Sequence, residues 1–243
     1  MSAPEAVAEA SFWLEINGRR IGSWSCTPGD LPALIAGWLL AQGYLDPLRR
    51  PPSLEVVEDD GILGVRATLP VEQVLQGDLE RRHRREHGCG LLYFVRCAPE
   101  RIRRRASAPP PPDGDVLLPL FRELFAASTR DRDLGGLHTA ALTDGEKILY
   151  QIDEVGRHNA VDKVIGRAIL EGVDPAGLGL LITARISGEI ALKAARARLG
   201  WVASRSVPTT LALDIARIAQ LPLLARAIGK EPRLHAPAEG GQG

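Results

Sequence analysis

"LGLLITARISGEIALKAARARLGWVASRSVPTTLALDIARIAQ", residues 178–220, runs through one local pattern twice. A short apolar run ("LGLLITA", then "WVAS") leads into a turn holding an arginine and hydroxyl residues ("RISGE", then "RSVPT"). Each turn opens a segment with helical spacing of apolar residues: "IALKAARARL", stopped by Gly200, and then "TLALDIARIAQL". Apolar runs alternating with amphipathic helices predict strands of a parallel or mixed sheet with helices on its faces. "PLLARAI", which follows, reads as a last short strand.

Upstream, "EVGRHNAVDKVIG" at 154–166 repeats the pattern. Residues 148–152 are a β-rich run, and Val161, Val164, Ile165, Ala168 and Ile169 share one helical face. Gly156, Arg157, His158 and Asn159 therefore occupy a strand-to-helix turn, with Asn159 suited to cap the helix from 159 to about 170. In an open α/β sheet such turns lie at the carboxyl edge, where ligands bind. Three turns then bring Arg157 with His158, Arg185 with Ser187 and Gly188, and Arg205 with Ser206, Thr209 and Thr210 to one edge. Helix amino ends and guanidinium groups both favour anions, so a ligand with several phosphates suits the arrangement. On the residues alone, His138 and His158 also fit ordinary hydrogen-bonded histidines, and Asp162 and Lys163 fit a solvent-facing surface.

The N-terminal part is of another kind. "FWLEINGRRIGSW" predicts a hairpin turning at Asn17-Gly18, and "CTPGDLPALIAGWLLAQGYL" a helix capped by Thr27, with Pro28 first, ending near Gly43. Residues 53–75 alternate like strands, and 79–105 are rich in arginine. The expected organisation is an α+β region at 1–108 ending in a basic cysteine loop, a proline-rich linker at 109–114, an α/β ligand-binding region at 115–235, and a disordered tail at 236–243. Thirty basic and thirty acidic residues cancel, so no overall field recruits nucleic acid or membrane. The three cysteines, Cys26, Cys89 and Cys97, are too few for a disulfide scaffold, and no apolar run could span a bilayer. A cytoplasmic location follows as an expectation, and Cys26 reads as buried packing.

"EVGRHNAVDKVIGRA", "LLITARISGEIALKAARA" and "VASRSVPTTLALDIA" resemble the signature blocks of the formate dehydrogenase accessory sulfurtransferases, the FdhD/NarQ family. "LEINGRRIGSWSCTPGDLPALIAGWLLAQGYL" is similar to that family's N-terminal block and "GGLHTAAL" to its glycine-histidine block, in the same order from about residue 12 to residue 228. The resemblance implies a cytidine-deaminase-like α/β fold, a mixed sheet with helices on its faces plus a smaller N-terminal α+β part, in a cytoplasmic homodimer. It implies an activity as well: sulfur is accepted as a persulfide from a cysteine desulfurase and passed to molybdenum in bis-molybdopterin guanine dinucleotide. The sulfurated cofactor then enters formate dehydrogenase or a related molybdenum or tungsten enzyme. The implied cofactor-binding residues are His138, Gly156, Arg157, His158, Asn159, Asp162, Lys163, Arg185, Ser187, Ser204, Arg205, Ser206 and Thr209. No protein-held metal is implied, since "HTAAL" lacks the glutamate that zinc deaminases place after their histidine.

The family's Cys-x-x-Cys pair, by the same resemblance, falls in "HGCGLLYFVRC", where Cys89 matches the first cysteine and Leu92 stands in place of the second. One thiol suffices to carry a persulfide. Arg84, Arg85 and His87 are near enough in sequence to favour the thiolate of Cys89, and Gly88 and Gly90 free the loop. The other expectation is a cofactor-binding carrier that has lost sulfur transfer, with the run 91–95 packing as a strand.

Overall fold

The computed structural model describes residues 6–45, 51–86, 102, 111–127, 136–229 and 231–235, with side chains of 80–86 and 127 excepted. Its first sheet grows from the hairpin, β1 (Ala10–Ile16) and β2 (Arg19–Cys26), which turns at Asn17 and Gly18, both at positive φ. Asn-Gly tolerates that left-handed pair, whose twist matches the strands it joins. β3 (Ser53–Asp59) and β4 (Ile62–Thr68) complete the order β2-β1-β4-β3, with β1 and β4 parallel and the other pairs antiparallel.

On this sheet lies α1 (Leu31–Gln42), closed by Gly43 in the left-handed conformation that a residue without a Cβ adopts at least cost. Phe12, Leu14 and Ile16 of β1 pack with Leu31, Leu34, Ile35 and Leu39. The helix is apolar on nearly every side because it is covered on nearly every side. Its start differs from the expectation: Asp30 precedes Leu31 in the left-handed conformation, and Pro32, not Pro28, sits in the first turn. Thr27 makes contacts outside the helix instead, described below. Residues 71–75 also differ, since α2 runs from Val71 to Glu86 and opens on the carbonyl of Pro70. The apolar spacing there suited either period, and tertiary packing of Gly77 against the Tyr44 ring selects the helix.

The second sheet has the order β10-β9-β8-β7-β5-β6. Its strands are β5 (His138–Thr143), β6 (Ile148–Glu154), β7 (Gly179–Ile182), β8 (Trp201–Ser204), β9 (Leu223–Ala225) and β10 (Arg233–His235). Strands β7, β8 and β9 are parallel, while β5 pairs antiparallel with both β6 and β7. β10 pairs antiparallel with β9, so the strand in "PLLARAI" is not the last. Helices α4 (Arg157–Leu170), α5 (Gly188–Arg196) and α6 (Thr210–Ala219) cover one face, over Ala140, Leu142, Leu180, Ile182 and Val202. α3 (Gly114–Ala127) covers the other through Leu117, Leu120, Phe121 and Leu124, over Ala141, Leu181, Trp201 and Ala203. Adjacent strand residues face opposite layers, so β7 and β8 are buried throughout and read as unbroken apolar runs. α5 ends four residues before Gly200, and Arg198 takes the left-handed closing position. Gly200 serves a close approach instead, since a Cβ there would overlap the Gly177 carbonyl.

The two sheets are joined through α1 and α4. A Cβ on Gly37 would overlap the backbone carbonyl of Asp162, and one on Gly166 would overlap that of Ala33. The helices cross with their backbones touching, which only glycine at both positions permits. Alanine in place of helical glycine ordinarily stabilises by up to ~1 kcal/mol. At Gly37 and Gly166 the sign reverses: we expect Gly37→Ala and Gly166→Ala each to lower stability by about 1–3 kcal/mol through overpacking. Urea denaturation checks this, with Gly114→Ala, which meets no atom within 4 Å, as the control that loses nothing.

Candidate functional site

Strand direction decides where the three arginine turns lie. Because β5 is antiparallel to both β6 and β7, those two run the same way, as does β8, and all three release their helices at one edge of the sheet. β5 runs against them, so its first residue, His138, reaches the same edge, paired with Glu154 at the end of β6. The expected convergence is thus present for His138, Arg157, His158, Arg185, Ser187, Arg205, Ser206 and Thr209.

Each turn is built locally. Gly156, not Asn159, is the residue before α4, and among the described residues no side chain caps that end. The amide of Asn159 lies where a side chain on Gly156 would be, and it donates to the Ser25 carbonyl at 3.0 Å. The amide groups of the first turn therefore keep the positive end of α4 open. The next two helices are capped by hydroxyls: Ser187 accepts from the amide of Ile190 at 3.4 Å and Thr209 from that of Ala212 at 3.2 Å. Their turns are tied to each other, with Thr209 N donating to Ile186 O and Ile186 N to Val207 O. Ser204 is fully buried; its hydroxyl donates to the Ala184 carbonyl at 2.7 Å and accepts from the amide of Ser206 at 2.9 Å, fixing the turn from beneath.

The charges sort into two kinds. Arg157 and Arg185 make no ion pair with a described residue, and the exposed Arg205 lies 5.7 Å from the centre of the Phe125 ring. Asp162 and Lys163, by contrast, are 2% exposed and committed inward. Lys163 lies 2.5 Å from Glu154 and donates to the carbonyl of Thr27 at 2.8 Å; the amide of Thr27 donates to the other oxygen of Glu154 at 2.6 Å. The Thr27 hydroxyl accepts from the amide of Val155. Thr27, expected to cap α1, instead joins the first sheet to the root of α4. Both oxygens of Asp162 accept from Lys193 at 2.6 Å. Glu154, Lys193 and Thr27 lie outside the site residues that sequence reasoning selected, since Thr27 is 127 positions from Glu154 and Lys193 is 31 from Asp162, separations that leave no spacing signal.

His158 stands where these groups meet. Its Nε2 is 3.1 Å from the Ser187 hydroxyl and its Nδ1 is 3.6 Å from Glu189. Burial pushes its pKa below the usual histidine value; Glu189 opposes that shift, while Lys193, Arg157 and His138 add to it. Burial and then Arg157 lower His138 as well. Both rings are therefore neutral at pH 7. Cys89 and Cys97 lie outside the described residues, as do most of the basic loop, the linker's first residues and the tail at 236–243. Cys26 is buried, as expected, and burial pushes its thiol up to about 11. Among the described residues no helix is long and apolar enough to cross a membrane.

The chain belongs to the FdhD/NarQ family, whose model matches residues 7–239. It is 31% identical over 216 residues to the sulfur carrier protein FdhD of Bacillus subtilis, spanning 86% of this chain and 80% of that protein. To the sulfur carrier protein FdhD of Streptomyces avermitilis it is 34% identical over 244 residues, spanning 95% and 86%. The fold is similar to a crystal structure from Desulfotalea psychrophila that carries the name of a formate dehydrogenase accessory protein. There the TM-score is 0.72 at 22% identity, covering 96% of this chain and 88% of that one.

Two measurements check the site's electrostatics. By NMR titration, His158 should take up its proton below pH 6.5, the unperturbed value. Between that value and the lowered one the unfolded chain holds more protons, so stability should fall as pH drops through this window. Urea midpoints should then decrease from pH 7.5 to 5.5, and less so in His158→Gln. Lys163→Met should cost about 3–5 kcal/mol by leaving Glu154 buried without its counter-charge, and adding Glu154→Gln should recover part of it.

Proposed function

We propose that this FdhD/NarQ protein takes persulfide sulfur from a cysteine desulfurase on Cys89 and delivers it to molybdenum in bis-molybdopterin guanine dinucleotide, before that cofactor enters formate dehydrogenase or a related molybdenum or tungsten enzyme. The observation that carries the reading is the single sheet edge shared by Arg157, Arg185, Arg205 and three helix amino ends. Arginines that form no ion pair with a described residue suit the phosphates of that substrate, and backbone amides at the amino end of α4 add donors. His138, Gly156, His158, Asn159, Ser187, Ser206 and Thr209 would line or shape the binding edge. Asp162, Lys163 and Ser204 would support it from beneath, since their polar atoms are bonded inside the fold.

The thiol chemistry supports Cys89 by contrast. A persulfide forms when a thiolate attacks the outer sulfur of the donor's persulfide and the donor's cysteine leaves as thiolate. Cys26 is buried, with its thiolate disfavoured, and is poorly suited to that attack. A cytoplasmic homodimer with a deaminase-like core is the form we expect. The carrier reading, in which the protein holds the cofactor without transferring sulfur, draws on Leu92 in the place of a second cysteine.

Intact mass after incubation with a cysteine desulfurase and cysteine separates the two. We expect a sulfur adduct that peptide mapping places on Cys89 and that Cys89→Ala abolishes. No adduct, with guanosine diphosphate still bound, would leave the carrier reading. Arg157→Ala should weaken guanosine diphosphate by roughly ten- to a hundredfold, the worth of one charge-assisted hydrogen bond.

A further inference from the structure

α2 carries an apolar ridge that the fold leaves uncovered. Its inner face is committed: Gln73 is buried, Val74 packs on the core of the first sheet, and Gly77 lies against the ring of Tyr44, whose hydroxyl donates to Asp78 at 2.6 Å. Arg19 pairs with Asp78 as well. These contacts fix the rotation of the helix, and so fix which residues it turns outward. The outward face presents Val71, Leu75 and Leu79, which are 67%, 66% and 45% exposed; among the described residues no large apolar side chain is more exposed than the first two. Single exposed leucines are ordinary on a protein surface. Three spaced by four residues are neighbours on one helix face and form a ridge roughly 12 Å long, the kind of patch that marks contact with another macromolecule.

The sequence that follows the ridge narrows the chemistry of that partner. Beyond Leu79, the last turns of α2 hold Arg81, Arg82, His83, Arg84 and Arg85 against Glu80 and Glu86. The helix thus passes from an apolar half into a basic half, and its complement is a protein face with apolar side chains edged by carboxylates. A bilayer suits it less well: α2 is held in the fold by its other face, and three apolar residues make a short anchor beside the long apolar faces of membrane-surface helices.

Position along the chain then selects the partner. α2 ends at Glu86, and Cys89 follows after three steps of chain, each spanning at most about 3.6 Å. A footprint of standard size, about 800 Å² per partner and so roughly 30 Å across, takes in both the ridge and the end of the helix. Sulfur passes between two cysteines only when the two sulfurs meet, so the protein that loads Cys89 must dock beside it. We propose that the ridge of Val71, Leu75 and Leu79 is the docking surface for the persulfide-bearing cysteine desulfurase, which meets it with an apolar face edged by carboxylates. The inference rests on the sulfur-transfer reading above and adds the surface that holds the donor while the thiolate attacks. It shares no residue with the arginine turns, so donor and cofactor are held by different elements.

The test uses the full chain and the purified holo cysteine desulfurase of the same organism. Leu75→Gln and the double variant Val71→Gln with Leu79→Gln alter exposed side chains, so their urea midpoints should stay at the wild-type value. Each should weaken desulfurase binding by roughly tenfold or more, the loss expected of an interface anchor, whereas Val116→Gln, at an exposed valine on α3, should not. Loading of Cys89, followed by intact mass, should fall at limiting desulfurase and recover at saturating desulfurase, a change in KM without one in kcat. Binding should also weaken as salt rises from about 50 to about 300 mM, as contacts between opposite charges do. Glutathione persulfide, a small donor that needs no docking surface, should load Cys89 equally in wild type and Leu75→Gln. Wild-type binding by the ridge variants, or binding indifferent to salt, would overturn the proposal. So would a changed oligomeric state of the ridge variants in sedimentation velocity, which assigns the ridge to a second copy, or their loss of binding to phosphatidylserine vesicles, which assigns it to a membrane. If neither donor loads Cys89 while the ridge variants still lose the desulfurase, the sulfur-transfer reading falls and the docking surface stands.

Discussion

The contact between α1 and α4 is the constraint on which the rest of the structure depends. Where Gly37 meets the Asp162 carbonyl and Gly166 meets that of Ala33, the two backbones leave no room for a side chain. Such proximity brings the loop before α1 within hydrogen-bonding distance of the root of α4. Thr27 can then contact Glu154, Val155 and Lys163 at once. A wider crossing would leave Glu154 and Lys163 either wet or unpaired, and an unpaired buried charge is far costlier than a lost surface pair.

From this crossing the position of His158 follows. Asp162 and Lys163 point inward to opposite partners, Lys193 on α5 and Glu154 at the end of β6, so the first turns of α4 are held against rotation. His158 and Asn159 are then presented between the sheet edge and a cavity lined by Trp24 and Trp38, one touching Ser187 and the other Ser25. Buried ion pairs give little net stability relative to apolar packing, but they do specify one orientation. Orientation is what a sheet edge assembled from three separate helices requires.

The same arrangement divides charge in space. Arginines that form no ion pair with a described residue stand at the strand ends, while the cavity next to them holds carboxylates and tryptophans. The neutral imidazole at that boundary adds no charge to either side. Two sheets of different character thus form one scaffold, the first carrying the tryptophans that line the cavity and the second the arginine turns.

The alternation in 178–220 was legible as strand and helix because those segments are buried on regular faces, and burial writes its period into the sequence. The Asn17-Gly18 hairpin and the closing Gly43 were legible too, since positive φ restricts residue choice locally. So was the grouping of the three arginine turns, which strand direction alone implies. Helix starts were less so: Thr27 and Asn159 have the chemistry of caps, but each spends its hydrogen bonds on a distant segment. β5 and β10 also went unread, the one set antiparallel within the sheet and the other added at its edge. The inward roles of Asp162 and Lys163, with Glu154 and Lys193 as partners, and the pairing of Trp24 and Trp38 with Glu189 across a cavity, were decided by tertiary structure. Local sequence records periodicity and backbone restriction, but a contact between residues more than a hundred positions apart is determined only when two helices pack.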